Sequence, residues 1–549
     1  MFNPTDISSP SRSSRLQGRL VIICFAALLG LTGCQTYTAQ TAAQNTAVLS
    51  GNLTVAVSAA NKRAEASKSS KDAVIAHLEQ GAILRQAAIA RTPQPMETAA
   101  AKAAAAKPGV APVTGKTDEI TPQTATNIAI QEPALATVPP EHLYLRQSLE
   151  AFSLAEEKID EFEAQAKVKV GAEATAMITN QANLPYRGRS YDKVMMNAYK
   201  ALNYIQLGER DAARVELNRA LQRQRDALAE NAKRIEDALE AAEQAKQGKA
   251  KSESGKSGTY DVEQAKADPK TSIAVNAVES ELNSSIKPYG DYVNPFVVFL
   301  DGLYFMANAE NNADLERARK SIERVAKMSP ENTFIKAELA TAEAAANGKL
   351  PTGFTYVIFE TGAAPYRDQL KIDIPTYAVT DKVSYVGAAF PKIKYQSDFT
   401  PSLTVIADGR KITSSILSSM DSVISLDFKN EWPSILTKTL ISTALKATVD
   451  VAIQKEAKEQ FGVWGQLAAK AITAAGQAAI NIADTRTWRS LPKEFHYMRL
   501  DTPADRSLTL AAGTQTQTVK LVPGSINMVY VISTNSTAPI LVDQFALKP

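Results

Sequence analysis

The sequence has few of the residues on which most reaction chemistry depends. Its two cysteines, Cys24 and Cys34, both lie near the N-terminus. Because no cysteine follows Cys34, the rest of the chain has no thiol for a disulfide, a zinc site or a nucleophile. The three histidines, His77, His142 and His496, lie in different segments, and none has metal-ligand spacing to another. We therefore expect neither a metal site nor a histidine-based catalytic triad.

A glycine-rich phosphate loop is also missing, and charge of one sign does not dominate. The formal net charge is +3, and it falls to about +1 without the three arginines and the one aspartate of residues 1–33. So small a charge produces no strongly basic field, which excludes nucleic acid as an expected partner. From these absences we predict a protein that is not an enzyme and holds no cofactor.

The N-terminus combines a basic stretch, an apolar stretch and a cysteine. Three arginines precede an apolar run over 20–31, which is too short to span a bilayer. The run ends in Leu31-Thr-Gly-Cys34, which resembles the lipobox of bacterial lipoproteins. The resemblance implies that residues 1–33 are a signal peptide and that Cys34 is lipidated, with acyl chains such as palmitate anchoring the chain to a membrane. Gln35 follows the cysteine. An aspartate at this position would signal that the lipoprotein stays in the inner membrane, so the glutamine favours the cell outer membrane, facing the periplasm.

Composition divides the next part of the chain into helices and less ordered stretches. We expect a lipidated flexible tether over 34–60 and disordered insertions over 92–140 and 247–270. No stretch after Cys34 has the apolar length of a transmembrane helix. Within 61–348, apolar spacing predicts helices over 61–91, 143–163, 191–207, 209–244, 294–310, 315–328 and 332–346.

The helix pairs of 61–348 have spacing similar to that of tetratricopeptide repeats. Small residues at fixed positions let two helices approach closely, and a glycine permits the turn between them. The central unit contains Ala201, Tyr204, Gly208, Ala213, Leu217 and Ala220, and the second contains Gly302, Phe305, Ala318, Ile322, Val325 and Pro330. A first, split unit would join Gly81 and Leu84 to Ser148, Phe152 and Ala155 across the insertion. The pattern predicts an α-solenoid, whose concave surfaces hold peptides or partner proteins; a generic helical bundle is the alternative.

After Gly348 the pattern changes to β-branched and aromatic runs. Predicted strands cover 354–360, 369–374, 384–390, 403–407, 423–428, 495–500, 507–510, 516–522 and 527–533, and Asp408-Gly409 predicts a hairpin turn. We expect 349–549 to form an antiparallel β-sandwich-like domain or small barrel, with an inserted helical hairpin over 432–483 that turns near 461–465. The hairpin is interpreted as buried; a contact with a second copy, a partner or a membrane surface is the alternative. The predicted fold class is α+β.

Two strings combine aromatic, arginine and aspartate residues. Tyr186, Arg187 and Tyr191 precede the central helix pair, and Arg486 and Trp488 follow the helical hairpin. Such side chains together are suited to gripping a peptide or a glycan. The favoured interpretation is nevertheless structural: Asp484 would cap or pair with Arg486, and the rings of Tyr186 and Trp488 would pack on the core.

These strings, with the helix over 197–204 and Phe359-Glu360-Thr-Gly362, resemble a family of uncharacterised bacterial lipoproteins with tetratricopeptide-like repeats and a C-terminal β domain. The resemblance covers most of 70–549, although 92–140 departs from it. It implies no enzymatic activity, and members are often encoded near lipoproteins that resemble activators of penicillin-binding proteins. We expect a non-enzymatic, outer-membrane-anchored scaffold that binds a partner protein in an envelope assembly. A peptidoglycan- or polysaccharide-binding module and a subunit of a homo-oligomeric envelope complex are the alternatives.

Overall fold

The computed structural model describes residues 36–92, 139–172, 181–251, 258–285, 289–290, 292–375, 385–480 and 482–549. Over these ranges the fold is mixed α+β, which confirms the predicted class. Cys34 and nearly all of the insertion predicted over 92–140 lie outside the described residues. Among the helices of the described ranges, none combines the length and apolarity needed to cross a bilayer.

Thirteen α-helices and one short 3-10 turn (Gln181–Asn183) are formed by the described residues. The helices are α1 (Tyr37–Gln40), α2 (Ala42–Leu49), α3 (Leu53–Ser67), α4 (Ala73–Ile89), α5 (Pro140–Ala172), α6 (Ser190–Gln206), α7 (Arg210–Lys246), α8 (Val262–Ala267), α9 (Pro269–Ser285), α10 (Pro295–Ala307), α11 (Asn312–Met328), α12 (Thr333–Ala346) and α13 (Met420–Ile480).

The prediction of a flexible tether over 34–60 is wrong for residues 36–60, which form α1, α2 and most of α3. Alanine is the strongest helix former, and Asn52 caps α3 by accepting a hydrogen bond from the backbone N–H of Val55. Ala56 and Ala60, one helical turn apart, are buried in a cluster that also contains residues of α4. The alanine-rich composition therefore produces closely packed helices instead of a loose chain.

The two predicted long-range helix contacts that depend on small residues are present. Ser148 of α5 donates a hydrogen bond to the carbonyl of Gly81 in α4 at 2.7 Å. A Cβ on Gly81 would lie 2.5 Å from the ring of Phe152, so only glycine allows this approach. In the same way, a Cβ on Gly302 of α10 would lie 2.7 Å from Ile322 of α11. The split unit and the second unit therefore pair as the sequence predicts.

The disorder predicted over 247–270 is wrong for its last third. Asp261 accepts hydrogen bonds from the backbone N–H groups of Glu263 and Gln264 and so caps α8. Helix α9 begins at Pro269, a residue that suits the first turn of a helix. Residues 252–257 of this stretch lie outside the described residues.

Eleven strands in three sheets follow among the described residues. They are β1 (Phe354–Thr361), β2 (Tyr366–Pro375), β3 (Tyr385–Lys394), β4 (Leu403–Ala407), β5 (Arg410–Thr413), β6 (Ser415–Ser419), β7 (Glu494–Asp501), β8 (Ser507–Ala512), β9 (Gln515–Lys520), β10 (Ile526–Ser533) and β11 (Leu541–Lys548). The sheet orders are β11-β10-β1-β7-β6, β5-β4-β8-β9 and β2-β3. All pairs are antiparallel except β1 with β10, which are parallel. Asp408 and Gly409 have φ of 48° and 72° and form the predicted hairpin turn between β4 and β5.

The five-stranded sheet is buried on both faces. Along β1, Val357 and Phe359 belong to a cluster shared with the four-stranded sheet, whereas Tyr356 and Ile358 belong to a larger cluster shared with the helices. On the helical side, Phe296 of α10 stacks on Phe495 of β7 with ring centroids 3.9 Å apart. The predicted helical and β domains therefore share one hydrophobic core.

Helix α13 corrects two predictions. The strand predicted over 423–428 is wrong, since these residues belong to the helix, which begins at Met420 and not at 432. Residues 461–465, where the turn is predicted, are helical, and the helical residues continue to Ile480. Even so, Glu431 and Asp484 both lie within 4 Å of Arg189, at 2.7 and 3.7 Å. A straight helix from Glu431 to Ile480 would be roughly 75 Å long, so the helical run must reverse direction, as the hairpin prediction requires.

The first arm of α13 is buried on nearly every side. Ile435, Leu436, Leu440, Ile441 and Ala444 are each at most 4% exposed. A helix buried all round belongs in a protein interior, and here the arm lies against α7, α9 and β3. The prediction that this part of the hairpin packs on the sheet and the helices is confirmed.

Candidate functional site

A buried charge cluster brings together four distant segments of the chain, and the two strings considered for ligand binding both contribute to it. The turn before α6 contributes Arg189, strand β2 contributes Arg367, α13 contributes Glu431, and the segment after α13 contributes Asp484 and Arg486. We call these five residues the charge cluster.

Glu431 lies at the centre of the charge cluster. Its Oε2 accepts hydrogen bonds from Nη1 of Arg189 at 2.7 Å and from Nη2 of Arg367 at 2.5 Å. Burial alone would raise the pKa of Glu431, but the two guanidinium groups hold that pKa well below its usual range. The carboxylate is thus ionised and joins α6, β2 and α13 at one point.

Arg486 connects the N-terminal region to the charge cluster through hydrogen bonds. Its Nε donates to Asp484 at 2.7 Å, and Nη1 contacts Asp72 at 3.2 Å, in the turn before α4. Nη1 and Nη2 also donate to the carbonyls of Leu184 and Gln181, at 2.8 and 2.9 Å. All the directions in which this guanidinium can bond are occupied by the protein itself.

Tyr186 and Asp192 form the start of α6. The hydroxyl of Tyr186 donates to Asp192 Oδ2, which also accepts the backbone N–H of Arg189 at 2.8 Å. Gly188 has φ of +73° and permits the turn that brings these groups together. Burial raises the pKa of Asp192 to about 6, although both hydrogen bonds oppose the shift.

Trp488 is completely buried. Its ring lies 5.8 Å from that of Phe152 in α5 and 5.9 Å from that of Tyr199 in α6. The indole N–H donates to Ser490 Oγ at 2.8 Å. The ring therefore fills the space between two helices and has no free face for a sugar or a peptide.

These positions correct the predicted binding site. Tyr186, Tyr191, Arg486 and Trp488 are each no more than 4% exposed, so they are not available to a ligand at the surface. Of the five predicted residues only Arg187 is exposed. The structural interpretation of the two strings describes them correctly, including the pairing of Asp484 with Arg486.

The sequence reasoning missed Arg367, Glu431 and Asp427. Asp427 is buried one helical turn before Glu431, and burial together with the Glu431 charge raises the pKa of Asp427 to about 6. The available signal was the occurrence of charged residues inside apolar runs, because such residues are almost never fully buried without a partner. Within the described ranges no group of three or more metal-ligating side chains has the geometry to hold a metal ion.

An open groove between α7 and α11 offers charged side chains to solvent. It has two adjoining parts of about 420 and 490 Å³, and both are lined by Leu221 and Arg317. Its other charged side chains are the cations of Arg219, Arg225, Lys320 and Arg324 and the carboxylate of Glu316, which pairs with Lys320. We call this surface the basic groove.

The walls of the basic groove are fixed by contacts between the two helices. Arg214 of α7 makes two hydrogen bonds of 3.0 Å to the carboxylate of Asp314 in α11. Arg317 of α11 binds Asp301 in α10 and donates to Asn218 Oδ1 at 2.6 Å. Within the part of the chain that the structure describes, neither Arg225 nor Arg324 has a carboxylate within ion-pair distance. The groove is therefore a preformed site whose charge is only partly neutralised.

Searches of protein-family models, curated proteins and solved structures found nothing that matches this chain.

Proposed function

We propose that this chain is a non-enzymatic lipoprotein, anchored to the outer membrane through Cys34, and that it binds a partner protein as a scaffold in an envelope assembly. The observation that carries the proposal is the basic groove, which is open, preformed and lined by cations. Its charge favours an acidic segment of the partner. The lipobox-like string before Cys34 supports the membrane address.

The helix pairs around the groove support a scaffold of the tetratricopeptide type. In such scaffolds, hairpins pack through small residues and present long grooves to peptides. The glycine-mediated approaches at Gly81 and Gly302 have this character. The four-stranded sheet that covers one face of the five-stranded sheet likewise supports a sandwich-like β region, which would hold the helices in place.

Charge reversal in the basic groove tests the proposal. The double variant Arg225→Glu/Arg324→Glu replaces two exposed cations that have no carboxylate partner among the described residues, so the fold should be retained while an acidic partner is repelled. A pull-down from detergent-solubilised envelopes should recover partner proteins with the wild type and lose them with this variant. The matched control Lys327→Glu/Lys411→Glu changes the same charge at exposed positions outside the groove lining and should retain them. Recovery of the same proteins with all three chains would overturn the assignment.

A homo-oligomeric subunit is the second candidate, and exposed apolar side chains favour it. Leu239 of α7, Ile273 of α9 and Val463 of α13 are 65%, 71% and 64% exposed, and both α7 and α9 pack against α13. Large exposed apolar side chains mark association surfaces when they are contiguous. Light scattering of the lipidated protein in detergent should then give a multimer that Leu239→Lys/Ile273→Lys reduces to a monomer. A monomeric wild type at high concentration would remove this candidate.

A further inference from the structure

The chain becomes fixed to the folded body almost immediately after Cys34. Tyr37 is only 6% exposed, and the guanidinium of Arg63 lies 4.6 Å from the centre of its ring. The hydroxyl of Thr38 donates to the carbonyl of Arg367 in β2 at 2.9 Å. Only residues 35 and 36 separate Cys34 from the buried Tyr37, and three residue steps span at most roughly 11 Å. A lipid on Cys34 would therefore hold the body at the membrane surface instead of suspending it from a tether.

The part of the body beside Tyr37 is basic. Between residues 62 and 71, at the end of α3 and in the turn before α4, there are four cationic residues and one acidic residue. Lys62, Lys68 and Lys71 are exposed, and Arg63 brings this segment against α1. Lysines at such positions are suited to the phosphate groups of a lipid surface.

The carboxylates near this segment cancel only part of its charge. Glu65 is paired with Lys68, and Asp72 is turned inward to Arg486 at 3.2 Å. Lys71 donates to the carbonyl of Ala182 at 2.6 Å, and within the described ranges no carboxylate pairs with its charge. The exposed remainder is cationic and lies within reach of the lipid attachment point.

We propose that α1 and residues 62–71, together called the anchor face, lie flat on the membrane and bind anionic phospholipid headgroups. The proposal rests on the proposed lipidation of Cys34 for its geometry but not for its charge. Several acyl chains anchor a protein durably by themselves, and the basic patch adds an electrostatic attraction to an anionic surface that holds one face of the body against it. The anchor face would also fix which side of the body is turned away from the bilayer.

Vesicle binding tests the charge of the anchor face without the lipid. The full chain without residues 1–33 and with Cys34→Ser should bind vesicles of phosphatidylethanolamine and phosphatidylglycerol, and bind vesicles of phosphatidylcholine alone far more weakly. The triple variant Lys62→Gln/Lys68→Gln/Lys71→Gln should weaken binding to the anionic vesicles by at least about tenfold, and added salt should do the same. The control Lys327→Gln/Lys349→Gln/Lys411→Gln removes three exposed lysines elsewhere and should change binding little. Equal losses for the two variants, or no preference for anionic vesicles, would overturn the proposal.

A fluorescent probe tests the orientation of the lipidated protein. Because acylation consumes Cys34, a Ser69→Cys substitution provides the only thiol of the mature chain. A fluorophore there should be strongly quenched by headgroup-labelled lipids. A fluorophore at Ala313→Cys, an exposed position of α11, should be quenched far less. Equal quenching would contradict the orientation. Mass spectrometry of the N-terminal peptide separates the lipid anchor from the anchor face. An unacylated Cys34 would refute the lipid anchor, whereas the vesicle experiment tests the anchor face independently of the lipid.

Discussion

Arg189 and Arg367 share the carboxylate of Glu431, and both guanidinium groups are almost completely buried. Two buried cations around one anion are stable only while the anion is present, because an uncompensated buried charge costs several kcal/mol. The charge cluster therefore depends on this single carboxylate more than on any other residue.

The variant Glu431→Gln should lower the free energy of unfolding by about 3 kcal/mol, because it keeps the shape of the side chain and removes only the charge. Urea denaturation followed by circular dichroism measures the change. Glu456→Gln, at an exposed position of the same helix, is the control and should shift stability by less than about 0.5 kcal/mol. If the two variants behaved alike, Glu431 would not have the central role described above.

Asp427 should show the opposite effect, and the effect should depend on pH. Its folded-state pKa of about 6 lies above its ordinary value of 3.8, so the folded state holds a proton more tightly than the unfolded state. Stability from this group is complete below pH 4 and is lost as the pH rises to 6. Asp427→Asn should therefore stabilise the protein by about 2 kcal/mol at pH 7 and by little at pH 4. Equal destabilisation at both pH values in urea titrations would contradict the assignment.

Sequence reasoning singled out the strings that contain three of the five residues of the charge cluster, and it favoured a structural role for them. The strings around Tyr186 and Arg486 stand out because aromatic and charged residues alternate there. Their main partners are hundreds of residues distant: Arg189 and Glu431 are 242 residues apart, and Arg486 and Asp72 are 414 apart. No local pattern encodes such pairs. The sequence alone therefore does not show whether the side chains of these strings are exposed or buried.

At the scale of helices and strands, local patterns were more informative. Apolar spacing located α4 to α7 and α10 to α12, of which α5, α7, α11 and α12 have one buried face and one more exposed face, whereas α4, α6 and α10 are buried on nearly every side. It failed for 423–428, since the first arm of α13 is buried on nearly every side and its apolar run has no preferred period. It also failed for 36–60, where alanine was taken as a sign of flexibility although it packs α3 against α4.

A substitution at Gly81, where α4 and α5 approach closely, tests the helix packing most directly. In an open helix Gly81→Ala would stabilise, because alanine is the better helix former by about 1 kcal/mol. Here the new Cβ would meet the ring of Phe152 at 2.5 Å, so we expect a net loss of about 2 kcal/mol in thermal or urea unfolding. Gly387→Ala, whose Cβ would meet only Asp373 Oδ1 at 3.8 Å, should cost much less and serves as the control. A stabilised Gly81→Ala protein would mean that the two helices do not touch there.

At the scale of the whole molecule, the helical and β parts depend on one another. Glu338 of α12 accepts hydrogen bonds from Tyr356 of β1 at 3.1 Å and from Tyr497 of β7 at 2.9 Å, and it pairs with Arg499 at 2.8 Å. With the aromatic stack between Phe296 and Phe495, these contacts join α10 and α12 to the central sheet.

A shared core predicts that the two parts unfold together. Urea unfolding followed by hydrogen exchange and mass spectrometry should show peptides of α10 to α12 and peptides of β1, β7 and β10 losing protection at the same urea concentration. If the helices lost protection at a lower urea concentration than the strands, the parts would be independent domains.

Photo-crosslinking from the basic groove in living cells tests the scaffold most directly. A photoreactive amino acid at Leu221, on the floor of the groove, should form adducts with a partner protein. The same group at the exposed position Lys411 should not, and Arg225→Glu/Arg324→Glu should abolish the Leu221 adducts. Adducts of equal yield from both positions, or none from Leu221 in the presence of intact envelopes, would contradict the proposal that this groove binds a partner.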